Sequence, residues 1–204
     1  MTAGEGTDVL LGTTNSNKVR EIRPLLAGLP IRLITLREIA PIPEPDESAN
    51  TFWENARIKA LAYANGSGLL SIAEDSGLEI DAMNGDPGVL SARFMGAAVS
   101  YPDRFKEIFR RIGTHDRTAR FVTALAVARG NTIVFETETS IEGEIAREPA
   151  GAHGFGYDPI FFYPPFRQTT AELPDPIKAI VSHRARAFRD LRRLLPTLTN
   201  SSDQ

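Results

Sequence analysis

The chain has 204 residues, 42% hydrophobic and 24% charged, with a formal net charge of −3 and no cysteine. That length can bury a sizeable core, the acidic balance excludes a general nucleic-acid binder, and a chain without cysteine has no disulfide, thiol nucleophile or zinc–thiolate site. No apolar run approaches the roughly 18 residues of a membrane span, and Met1–Asp8 lacks the basic and apolar regions of a signal peptide, so a cytoplasmic protein that binds neither membrane nor nucleic acid is expected.

Residues 1–6 and 197–204 read as disordered tails around one domain spanning 7–196. Val9-Leu10-Leu11-Gly12 has the apolar run of a buried strand. It leads into Thr13-Thr14-Asn15-Ser16-Asn17-Lys18, after which Val19, Ile22, Leu25 and Leu26 recur at helical spacing. Strand, polar loop and helix present free backbone N–H groups to an anion. Thr13, Asn15 and Lys18 can add donors and a positive charge for a phosphate tail, although the spacing is not that of a Walker A loop. The competing reading is structural: Asn15 or Ser16 caps the helix and Lys18 is a solvated first-turn residue. Pro24 inside the pattern predicts a kink or a later helix start.

Ile31–Leu36 reads as a second strand, and the proline-rich, acidic stretch Ala40–Asn50 as an irregular loop. Thr51 and Glu54 fit a capping box, with Phe52, Ala56, Ala60 and Tyr63 as the apolar stripe of a helix that stops at Asn65-Gly66. Glu54 is thereby explained, whereas Glu47 in the loop has no structural role of this kind.

Leu69, Leu70, Ile72 and Ala73 form a short buried strand that runs into Glu74, Asp75, Ser76 and Gly77. Leu78, Ile80 and Ala82 then alternate with Glu79 and Asp81. Asp75-Ser76-Gly77 is consistent with a turn between two strands. Carboxylates at the end of a buried strand otherwise require a cation.

Asn84–Gly88 is a turn cluster, Arg104–Ile112 a helix, and Ala119–Ala128 with Asn131–Ile141 a strand pair around Arg129-Gly130, with Glu136 and Glu138 facing solvent. In Gly151–Phe162, glycines permit close backbone approach. Phe155 and Tyr157 either stack on a base or plug the core, and His153 reads as a solvated loop residue. Lys178–Leu195 has the pattern of one basic amphipathic helix whose start carries Lys178, Ser182, His183 and Arg184. Taken together, a phosphate loop, an acidic cation-capable cluster, an aromatic glycine loop and a basic helix start compose a nucleotide site with a divalent ion, and hydrolysis is plausible chemistry for it.

Six runs together resemble the inosine triphosphate pyrophosphatase family, the non-standard purine nucleoside triphosphate pyrophosphatases. They are Thr13–Lys18, Glu47 with Thr51–Ala56, Ala73–Leu78, Pro87-Gly88 with Ser91–Arg93, Gly154–Phe161, and Ala171–Leu173 leading to Lys178 and Ser182–Arg184, in the family's order from about residue 8 to residue 190. The resemblance implies an elongated α/β fold with a mixed central sheet, two lobes flanking an active-site cleft, and a homodimer. It implies Mg²⁺-dependent attack of water on the α-phosphorus of inosine, deoxyinosine or xanthosine triphosphate, releasing monophosphate and pyrophosphate. It assigns Asp75 as general base or ion holder and Glu47 and Asp75 as magnesium ligands. Thr13, Asn15, Lys18 and Ser76 fall to the triphosphate, Phe155, Gly156, Tyr157 and Asp158 to the base, and Lys178, Ser182, His183 and Arg184 to base and phosphate. Glu74 stands where most members have aspartate, and Ala49 and Ala185 where glycine is usual. The rivals are a pyrophosphatase for standard or modified nucleotides, such as the similarly folded septum-inhibitor family, and a non-catalytic nucleotide-binding module.

Overall fold

The structure, a computed structural model, describes residues 6–200. It is a mixed α/β fold around a seven-stranded sheet. The strands are β1 (Thr7–Leu11), β2 (Ile31–Thr35), β3 (Leu70–Ile80), β4 (Thr118–Arg129), β5 (Thr132–Ile145), β6 (Phe161–Tyr163) and β7 (Gln168–Thr169). They hydrogen-bond in the order β2-β1-β3-β4-β5-β6-β7. β1 is parallel to both β2 and β3, whereas β5–β6 and β6–β7 are antiparallel. The helices are α1 (Ser16–Leu25), α2 (Phe52–Ser67), α3 (Tyr101–Ile112), α4 (Asp175–Val181) and α5 (His183–Asn200).

The chain divides into two compact units. The first holds 6–75, 124–139 and 184–200; the second holds Ser76–Thr123 and Ser140–His183. In the first, Val9 and Leu11 of β1, Ile72 of β3, Leu125 and Val127 of β4, and Phe188, Leu191 and Leu195 of α5 form one apolar cluster. Leu10, Ile34 and Tyr63 form another. The second unit has its own core, in which Leu78 and Ile80 meet Phe105, Ile108 and Ile112 of α3, Phe121 of β4 and Phe161 of β6. Ser91 clips that unit together: its hydroxyl accepts from the Leu78 N–H at 2.9 Å and donates to the Gly88 carbonyl at 2.7 Å.

Several boundaries differ from the sequence reading. Asp75-Ser76-Gly77 forms no turn, because β3 runs unbroken for 11 residues through both carboxylates. The acids are tolerated in the strand because each meets cationic partners, described below. The expected single helix over 178–195 is two: Ser182 has an extended backbone (ψ 155°) and closes α4 with its N–H on the Lys178 carbonyl before α5 begins. α2 continues past Asn65-Gly66 to Ser67 and stops at Gly68, which takes the left-handed conformation (φ 72°) that disfavours side chains. α5 continues through Pro196 to Asn200, and Thr199, 4% exposed, donates to the Leu195 carbonyl. Of the segments read as tails, 1–5 and 201–204 lie outside the described residues. Pro24 neither delays nor visibly breaks α1; it lies one residue from the helix end, where the lost hydrogen bond matters least.

Candidate active site

Successive residues of a strand point to opposite faces, so the adjacent acids Glu74 and Asp75 of β3 reach different partners. Both are buried, at 1% and 7% exposure.

Asp75 faces α2. One carboxylate oxygen accepts from Lys59 Nζ at 3.1 Å and the other from Asn55 Nδ2 at 3.2 Å. Lys59 Nζ also lies 3.0 Å from Glu47, so two carboxylates direct oxygens at one ammonium. Asn55 fixes the loop that carries Glu47: it accepts from the Ala49 N–H at 3.1 Å and donates to the Ala49 carbonyl at 3.3 Å. Burial raises the Asp75 pKa above the ordinary aspartate value; Lys59 and Lys18 pull the other way and Glu47 adds to the rise. Burial disfavours the Lys59 charge, but Asp75 and Glu47 outweigh it and hold its pKa above that of a free lysine.

Glu74 faces α1 and α5. Its Oε1 accepts from Arg184 Nε at 3.0 Å and lies 3.3 Å from Lys18 Nζ, while Arg184 Nη1 donates to Glu21 at 2.6 Å. Burial would favour the neutral acid, yet Arg184 and Lys18 outweigh it and hold the Glu74 pKa far below the ordinary range. Lys18 is therefore not a solvated first-turn residue: its side chain is 14% exposed, and burial lowers its pKa against the pull of Glu74. Asn15 caps α1 in the way the structural reading supposed, its side chain accepting from the N–H groups of Asn17 and Lys18. Thr13 Oγ1 accepts from the Asn15 N–H at 3.2 Å. Capping and phosphate binding are compatible here, because the Thr13 and Lys18 side chains remain half-buried rather than enclosed.

In the second unit, Asp158 organises the glycine loop. Its Oδ2 accepts from the Phe155 N–H at 2.7 Å and from Lys178 Nζ at 2.5 Å, and its Oδ1 from Thr170 Oγ1 at 2.8 Å. Gly154 has φ 74°, and a Cβ there would lie 2.1 Å from Asp158 Oδ2, so a side chain is excluded. The two loop aromatics part company. Tyr157 is 4% exposed, packs edge-on against Tyr101 at 5.2 Å and donates its hydroxyl to the Ser91 carbonyl. It plugs the core. Phe155 is half-buried with Lys178 Nζ 5.4 Å from its ring centre, and is the aromatic left for stacking. Gly156 is half-buried, His153 is exposed, and Ser76 is partly exposed. Ser182 is buried, and His183 stacks on Phe121 at 4.8 Å.

Lys59, Asn55 and Glu21 were not anticipated from the sequence. Asn55 and Lys59 did leave a signal: they fall at helical spacing among Phe52, Ala56, Ala60 and Tyr63, so two polar side chains share the buried stripe. Glu54, by contrast, meets the Thr51 hydroxyl at 2.9 Å as a capping pair. Among the described residues no three His, Cys, Asp or Glu side chains gather as a complete metal cage. Glu47 and Asp75 nonetheless suit a hard cation of the kind that takes one or two carboxylates and completes its shell with water and substrate phosphate, since both already point oxygens at the Lys59 charge.

Residues 9–194 match the Ham1 family. The chain is 41% identical over 184 residues to a dITP/XTP pyrophosphatase of Exiguobacterium, covering 90% of this chain and 94% of that one. It is 42% identical over 191 residues to one from Thermus thermophilus, covering 91% and 90%. Among solved structures, a HAM1 protein from Coxiella burnetii superposes with a TM-score of 0.87 at 37% identity, covering 94% of this chain and 99% of that one. A nucleoside-triphosphatase / dITP/XTP pyrophosphatase from Mycobacterium abscessus gives 0.72 at 36% identity, covering 91% and 98%. The chain belongs to the Ham1 family.

Proposed function

We propose that the protein hydrolyses non-standard purine nucleoside triphosphates, deoxyinosine and xanthosine triphosphates among them, to monophosphate and pyrophosphate, and so clears them from the nucleotide pool. The observation that carries this is the buried Asp75, set between Asn55 and Lys59 and opposite Glu47, in a chain whose relatives over nine-tenths of its length carry that activity in their names. Asp75 takes a proton from water as the water oxygen attacks the α-phosphorus. The bond from that phosphorus to the α–β bridging oxygen breaks, and pyrophosphate leaves with the electron pair. Burial favours this role, since a carboxylate with a raised pKa is a better base near neutrality. Asn55 orients Asp75, Lys59 steadies its charge, and Lys18 with Thr13, Asn15, Ser76 and Arg184 serves the phosphates.

Magnesium belongs to this reading, held by Glu47 and Asp75. Bound there, it would acidify the attacking water and neutralise phosphate charge. Charge balance supports the requirement: Lys18, Lys59 and Arg184 face Glu21, Glu47, Glu74 and Asp75, so this cluster is negative by one and a triphosphate adds more of the same sign. For the base, Phe155 offers a face and Lys178, fixed by Asp158, offers a donor. A 6-keto purine accepts from such a donor, whereas the amino group of adenine would leave it unpaired. The reading extends to a cytoplasmic homodimer, supported by the family likeness and checked by light scattering; among the described residues no helix is long and apolar enough to cross a membrane.

Hydrolysis of deoxyinosine triphosphate in ¹⁸O-labelled water tests the chemistry. The label is expected in the monophosphate; label in pyrophosphate or orthophosphate would place the attack on another phosphorus and overturn the mechanism.

A further inference from the structure

We infer that Glu74 is a positioning residue for the triphosphate, acting through Lys18, and that it is not a metal ligand; the inference rests on the pyrophosphatase reading above. Strand alternation turns Glu74 away from Glu47 and Asp75 and toward the start of α1 and the start of α5. There it is one link of a chain of charges. Glu21 holds Arg184 at 2.6 Å, Arg184 holds Glu74 at 3.0 Å, and Glu74 holds Lys18 at 3.3 Å.

The links are unequal. Arg184, with 3% side-chain exposure, is gripped by two carboxylates, and Glu74 is fully enclosed. Lys18 has the longest of these contacts and is the more exposed of the two cations, 14% against 3% for Arg184. Both cations use the same oxygen, Oε1, while Oε2 is buried with no hydrogen-bond partner among the described residues. Arg184 thus locks Glu74, and Glu74 parks Lys18 on a flexible four-carbon stem where an arriving phosphate can take it over. A lysine held in place beforehand costs less ordering when substrate binds. Without the carboxylate, Lys18 and Arg184 repel each other across the vacated position, and Lys18 turns to solvent. The longer reach of glutamate suits this task, one oxygen serving a helix on either side.

A double-mutant cycle of Glu74→Gln and Lys18→Ala, with deoxyinosine triphosphate and magnesium as the probe, decides the matter. Glu74→Gln is expected to raise KM about tenfold with kcat changed less than about threefold, and to add less than about twofold in the Lys18→Ala background. The magnesium concentration for half-maximal activity should stay at the wild-type value. Glu74→Asp, which keeps the charge, should show a smaller KM rise with the same coupling to Lys18; it decides the question alone if Glu74→Gln does not fold. Additive effects overturn the inference, as does a shifted magnesium requirement, which would make Glu74 a ligand. Wild-type protein that turns over no nucleoside triphosphate would remove the functional reading and this inference together. Additivity with wild-type turnover intact removes this inference alone.

Discussion

At the scale of single residues, the proposed chemistry rests on Asp75 and its partner Lys59. Asp75→Asn preserves shape and the Asn55 contact but removes the proton acceptor, so kcat for the triphosphate should fall about 10²-fold or more with KM little changed; near-normal turnover would take Asp75 out of the mechanism. Lys59→Met leaves two carboxylates facing each other with one of them buried. Breaking a buried pair costs on the order of 3 kcal/mol, so the melting temperature should drop. Added magnesium should then raise it by more than it raises wild type, because a ligand that binds the folded state stabilises it. A melting temperature indifferent to magnesium in both proteins would contradict the assignment of Glu47 and Asp75. Glu74 makes a separate prediction with pH. Its folded pKa lies below its ordinary value of 4.5. In the window beneath 4.5 the unfolded chain therefore binds the extra proton, and stability falls as pH falls. Urea melts between about pH 3 and 5 should show an acid limb that is shallower in Glu74→Gln.

At the scale of elements, the glycine loop carries the sharpest expectation. Gly154→Ala combines a disfavoured positive φ with a Cβ 2.1 Å from Asp158 Oδ2 and 2.7 Å from Lys178 Nζ. It should displace the Asp158–Lys178 pair and lower kcat/KM for deoxyinosine triphosphate about tenfold, with loss of preference over ATP; unchanged discrimination would separate the loop from base recognition. The elements also show what the sequence could and could not disclose. The strand-loop-helix opening, the Thr51 cap and the strand pair around Arg129-Gly130 were legible because each is a local pattern. The turn expected at Asp75-Ser76-Gly77 was not formed, because turn propensity is local whereas the Lys18, Lys59 and Arg184 charges that let β3 continue come from 57 and 16 positions upstream and 109 downstream. Ser182 ended a helix that periodicity carried straight through, since an apolar stripe is blind to one extended residue. Tyr157 and Phe155 looked alike in sequence; only packing against Tyr101 and Phe105 distinguishes the core ring from the half-buried one.

At the scale of the whole molecule, the candidate groups are distributed over both units. The first carries the carboxylates and the cations suited to polyphosphate, with Asp75 at the last position before the chain passes into the second. The second carries Phe155, Asp158 and Lys178, the groups suited to reading a purine. Hydrolysis of deoxyinosine and xanthosine triphosphates at the α-phosphorus is put to the test by a substrate panel with product identification. With magnesium present, deoxyinosine and xanthosine triphosphates should yield pyrophosphate and monophosphate with kcat/KM at least about tenfold above ATP or GTP, roughly 1.4 kcal/mol of discrimination. Release of orthophosphate, or equal turnover of ATP, would contradict it.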